Sequence, residues 1–157
     1  AEVTAPRLIG LEPELGLVIW KTGAAYFSTP AAGGEPVELG PVLGAASAVS
    51  GGFLYFSSDE LYSVERVSLD GGEVELLNEG LAPVTVIAVD GEEVFWVESE
   101  AESWPSVPFG TRHRLFTASE DGPSELRRTT GPGWQGVVQG PSAIYLGEES
   151  GLEIVPR

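Results

Sequence analysis

With 21 Gly and 12 Pro among 157 residues, about a fifth of the chain consists of helix-breaking types against a usual background of roughly 12%, which excludes long helices and favours an all-β fold. Apolar residues make up 42% of the sequence, enough to bury a core without disulfides, and the lack of any Cys removes thiol catalysis and thiolate metal sites. Carboxylates outnumber Lys and Arg 24 to 8, and the resulting net charge of −16 excludes nucleic acid as a partner, because phosphate binding depends on clustered basic residues.

The first segment after Pro6, Arg7 to Leu11, reads as a strand, followed by Val18-Ile19-Trp20, Ala25-Tyr26-Phe27 and, past a Gly33-Gly34 turn, Pro36 to Leu39. Pro41 leads to a second set: Ala45 to Val49, Leu54-Tyr55-Phe56, Leu61-Tyr62-Ser63 and, after Asp70-Gly71-Gly72, Glu73 to Leu77. Pro83 opens a third, with Val84 to Val89, Val94-Phe95-Trp96, Leu115-Phe116-Thr117 and, after Asp121-Gly122, Ser124 to Thr129. Pro132 opens a fourth, with Gln135 to Val138, Ile144-Tyr145-Leu146 and Leu152-Glu153-Ile154. The apolar triplets end at Trp20, Phe56, Trp96 and Leu146, so the unit recurs at 36, 40 and 50 residues. The Gly pairs and Asp-Gly are the residue types that tight hairpins require.

A repeat of about forty residues with four strands per unit is the mark of a β-propeller. The expected fold is all-β, a propeller of four four-stranded blades, at approximately 7–39, 40–77, 78–129 and 130–157 with 1–6. The last unit lacks an outer strand, and Glu2-Val3-Thr4 is expected to supply it and close the ring. The alternative is half of an eight-bladed ring, in which the same strand completes the neighbouring copy's blade in a homodimer. Trp20, Phe56, Trp96, Tyr55, Phe95 and Tyr145 are read as filling between blades.

The stretch from Phe53 to Glu98 is similar to the repeat of the YWTD and TolB-like propeller families, in which an aromatic strand leads to a "LDGG" turn and then to "GL..P.GIAVDG". Here the corresponding residues are Leu54-Tyr55-Phe56, Leu69-Asp70-Gly71-Gly72 and the run from Gly80 to Gly91. The resemblance implies a scaffold used mainly for binding, in an extracellular or periplasmic setting. A secreted or periplasmic location is therefore expected, for a chain that has been processed or excised. Seven Arg to one Lys, amid abundant Ala, Gly, Val and Pro, points to a bacterial source of high GC content. No run of about eighteen apolar residues offers a membrane span.

In this topology the connections from second to third strand share one face of the ring with the connections between blades. One of them is elongated, Ser99 to Thr111, and accounts for the 50-residue spacing. It holds Trp104 and Phe109 beside Pro105 and Pro108, runs into Arg112 and His113, and Trp134 follows the next between-blade connection. Aromatic and Arg side chains stiffened by Pro make good contact surfaces, so these five are the expected binding residues for a protein segment or a glycan. The alternative for Trp104 and Phe109 is a plug folded over the channel mouth. A single His cannot build an imidazole metal site, and Asp59, Glu60, Glu98, Glu100, Glu102, Glu148 and Glu149 lack the spacing of a Ca²⁺ loop. They are read as a solvated acidic rim. No catalytic residue, metal or cofactor is expected, since neither a G-x-S-x-G elbow nor a phosphate loop is present.

Overall fold

The computed structural model describes residues 5–80, 82–90, 93–102, 110–119, 125–130, 134–139, 143–148 and 151–156. Strands β1 (Arg7–Glu12), β2 (Leu17–Lys21), β3 (Ala25–Pro30) and β4 (Val37–Pro41) form the first sheet, in that order. The second holds β5 (Ser47–Ser50), β6 (Phe53–Ser58), β7 (Ser63–Ser68) and β8 (Glu75–Glu79), and the third holds β9 (Val84–Asp90), β10 (Glu93–Glu102), β11 (Gly110–Ser119) and β12 (Glu125–Thr130). The fourth has three strands, β13 (Trp134–Gln139), β14 (Ala143–Glu148) and β15 (Gly151–Pro156). Every neighbouring pair is antiparallel, and no helix occurs among the described residues, hence none that could cross a membrane.

These sheets are the four units of the repeat, each wound from the inner strand outward, as propeller blades are. Glu2-Val3-Thr4 lie outside the described residues. A two-residue hairpin joins β5 to β6, where Ser50 faces Phe53 across Gly51 and Gly52 at φ values of 58° and 82°; the expected pairs Gly33-Gly34 and Gly71-Gly72 take positive φ but lie in the longer connections 31–36 and 69–74, not in tight hairpins. One strand is misplaced by the sequence reading. Leu61 and Tyr62 are not in the third strand of their unit but in the turn before it, exposed, with Tyr62 at a φ of 51°. Strand β7 begins at Ser63, and Val64 and Val67 fill the core there.

The packing between sheets follows one rule, set by the triplets. A strand sends alternate side chains to opposite faces. In the first three triplets the middle residue therefore faces onward from its sheet, and in the second and third the outer two face the preceding sheet. Ile19 of the first sheet packs against Leu54 and Phe56 of the second, with Tyr26, Leu39, Val67 and Leu69 around them. Tyr55 of the second faces Val94 and Trp96 of the third, with Val64, Val84 and Ile87. Phe95, with Val97 and Leu115, then covers the far face of the third sheet. The first two sheets are also tied by Ser28 Oγ donating to the Leu69 carbonyl at 2.6 Å.

Inner strands sit side by side, β1 with β5, β5 with β9 and β9 with β13. Among the described residues no comparable packing joins β1 to β13. The outward face of the first sheet is accordingly open: Val18, Trp20 and Phe27 are half-buried, and Leu8 and Leu11 are 60% and 61% exposed. Trp20 stacks on Phe27 at 4.5 Å and donates its indole N–H to Thr29 Oγ1, so the face is ordered by its own side chains.

Candidate functional site

The described ends of the elongated connection, residues 99–102 and 110–111, are strand. β10 and β11 run ten residues each, and their pairing continues through Ser99 opposite His113, Glu100 opposite Arg112, Ala101 opposite Thr111 and Glu102 opposite Gly110. The flanking strands stop earlier: β9 pairs with β10 as far as Glu98, and β12 with β11 as far as His113. Beyond that line, from Glu100 and Arg112 outward, the two strands pair only with each other among the described residues and form a ribbon extending past the sheet. In this register Glu98 and Glu100 of β10 stand opposite Arg114 and Arg112 of β11.

Of the five expected contact residues, Trp104 and Phe109 lie outside the described residues, in the segment that joins the ribbon's ends. Arg112 and His113 are successive positions on β11, in register with Glu100 and Ser99 of β10. Trp134 opens β13, opposite Glu148, on the strand beside β9. The acidic rim is corrected in one place. Glu98 is not solvated but 1% exposed, and the Trp96 indole N–H approaches its Oε1 at 3.4 Å.

At the base of the ribbon lies a feature the sequence reading missed, a cavity of about 260 Å³ where the beginnings of β1, β5 and β9 converge. Its lining combines Arg7, Lys21, Ser47 and Thr85 with Ile9, Ala46 and Ile87. Register brings the polar side together: Arg7 stands opposite Lys21, and Lys21 opposite Tyr26, on the face turned to the second sheet. The turn between Lys21 and Tyr26 is pinned by Thr22, whose Oγ1 accepts the N–H groups of Ala24 and Ala25 at 3.1 and 3.2 Å. The Lys21 ammonium lies 5.3 Å from the centre of the Tyr26 ring. Burial, and then the neighbouring Arg7 charge, hold the Lys21 pKa below its usual value.

Tyr26 is fully buried and its hydroxyl makes no hydrogen bond of normal geometry. Burial pushes its phenol upward; Ser47 beside it eases that push and the Asp59 carboxylate adds to it. Cavity and ribbon meet at Thr85, whose Oγ1 is 3.0 Å from Ser99 Oγ, at the position where the Ser99 N–H still donates to the Pro83 carbonyl.

No model of a known protein family matches the chain, and no curated protein matches it either. Solved structures do. The computationally designed Ika4 protein superposes with a TM-score of 0.68 at 10% identity, over 98% of this chain and 91% of that one. A chain of the nidogen/laminin complex gives 0.66 at 17%, over 90% and 57%, and the putative TolB from Agrobacterium tumefaciens 0.62 at 18%, over 83% and 52%. The likeness shows a β-propeller-like fold. The chain spans a little over half the length of the nidogen/laminin and TolB chains it resembles.

Proposed function

We propose that the chain is a non-catalytic binding module that recognises a protein segment or a glycan on the face carrying the ribbon. The observation that supports this reading is the ribbon itself. A rigid scaffold tolerates variation in its connections, and here one connection departs from its counterparts, two strands extended beyond their sheet and tipped by the segment with Trp104 and Phe109. Arg112, His113 and Trp134 complete the expected contacts. One solved neighbour is a chain of a complex between two proteins, which agrees with use of such a scaffold for binding. The YWTD and TolB-like resemblance supports a secreted or periplasmic setting.

The test is a glycan array and a peptide-display selection against the pure chain, followed by Trp104→Ala with Phe109→Ala. Selected ligands should lose at least about 2 kcal/mol of binding, the scale of an aromatic hot spot, while the thermal midpoint stays put. A large drop in the midpoint would instead identify the pair as a plug.

A second reading concerns closure. The open face of the first sheet favours an assembly unit, in which two chains make one eight-bladed ring and the last sheet of one copy covers Val18, Trp20, Leu8 and Leu11 of the other. Its rival is four blades closed by Glu2-Val3-Thr4 within one chain. Light scattering at micromolar concentration separates them: twice the chain mass, halved by Leu8→Glu with Leu11→Glu, is expected for the assembly, and a strictly monomeric wild type removes it.

A further inference from the structure

We infer that the cavity at the meeting of β1, β5 and β9 is a binding site for a compact oxyanion, one carboxylate or phosphate group on at most a short apolar stem. The chain has only 8 Lys and Arg against 24 carboxylates, yet it sets two of those cations directly opposite each other at this cavity. Among the described residues neither Arg7 nor Lys21 forms an ion pair, and the ion pair that does occur there, Arg66 with Glu75, is elsewhere. Two adjacent cations repel, and burial adds to the cost for Lys21. An anion between them removes both penalties.

The rest of the lining fits the same ligand. The Ser47 and Thr85 hydroxyls add neutral polar groups to the lining. Arg7 brings a planar fork that matches two oxygens of a carboxylate or phosphate. Asp59 is the carboxylate within electrostatic reach of Tyr26; set against Arg7 and Lys21, it leaves the cluster net positive. The walls add an apolar side. About 260 Å³ is the room of some eight or nine waters at about 30 Å³ each, and Ile9, Ala46 and Ile87 offer an apolar bed for a short stem. A site that concentrates positive charge within an acidic surface also selects: it rewards a small anion and leaves extended polyanions repelled by the surroundings.

The site lies at the root of the ribbon and extends the binding-face reading, but its test needs no partner. The pure chain is titrated separately with inorganic phosphate and with sodium propionate against sodium chloride at matched ionic strength, followed by the amide shifts of Ser47, Thr85 and Tyr26. A saturable shift with at least one probe is expected, weakened tenfold or more in both Lys21→Gln and Arg7→Gln. Saturation by phosphate alone names free phosphate as the ligand type, and saturation by propionate alone names a carboxylate. Arg7 is exposed at the start of its strand, so Arg7→Gln keeps the fold intact even where Lys21→Gln fails. Shifts that scale with salt and never saturate, or that survive unchanged in Arg7→Gln, overturn the inference. Loss of the aromatic ribbon contacts leaves this titration untouched, so the two readings fail independently.

Discussion

The first and second sheets are built from the same unit, yet they live in different surroundings. In the second, Leu54 and Phe56 press against the first sheet while Tyr55 presses against the third, and all three are buried. In the first, Ile19 is buried by the second sheet, but Val18 and Trp20 look outward from an open face. Identical local chemistry thus gives unequal energetics. What differs is whether a neighbouring sheet arrives to cover the two outer residues of the triplet, and that is decided by assembly rather than by the strand.

The sharpest way to probe this difference is to truncate the same repeat position in two sheets. Trp96→Ala, at a fully buried site, should cost about 3–5 kcal/mol in denaturant unfolding. Trp20→Ala, with one face open, should cost about 1 kcal/mol, chiefly its stacking on Phe27. Should a second copy cover that face, the Trp20 variant would also lower the solution mass, and its cost would grow with protein concentration. Equal losses for both at high dilution would overturn the claim that the first sheet is open.

Between these extremes lies the fit of one sheet's leading turn against its own second strand. A Cβ on Gly44 would sit 2.6 Å from the Ser57 carbonyl oxygen, and the Ser57 hydroxyl already accepts the Ala46 N–H. Gly44→Ala should therefore destabilise by about 1–3 kcal/mol, read as a lowered thermal midpoint. An unchanged midpoint would mean that the connection into the second sheet yields more readily than its geometry implies.

The smallest effect concerns charge. Lys21 has a folded pKa below its unfolded value of about 10.4, so the unfolded chain binds more protons in between and stability rises with pH across that window. Lys21→Met should raise the thermal midpoint slightly at neutral pH, with the gap to wild type closing toward pH 10 to 11. A variant less stable than wild type at every pH would show that the stacking on Tyr26 outweighs the repulsion from Arg7.

The architecture was legible in the sequence because the triplets, the Gly turns and the Pro-marked connections repeat, and repetition survives imperfect copies. Leu61 and Tyr62 were misread because an aliphatic and an aromatic residue look like strand in composition, while the left-handed backbone at Tyr62 leaves no mark in residue type. Residues 99–111 read as a connection because Pro105 and Pro108 interrupt any strand pattern. The period-two placing of Glu98, Glu100 and Glu102 and of Arg112 and Arg114 matches the observed register and is the signal that could have revealed the paired ends. Arg7, Lys21 and Tyr26 were beyond sequence reading, because only strand register aligns them across three strands.

The packing rule has a consequence for size. The first two sheets present the same kind of surface forward and the second and third accept the same kind behind, so neither of these interfaces counts how many sheets precede or follow it. A duplicated or deleted unit would meet its new neighbours on familiar terms, and the number of blades would be set by the turning angle accumulated along the arc and by how its two ends are capped. The two leucines on the open side of β1 mark one such end.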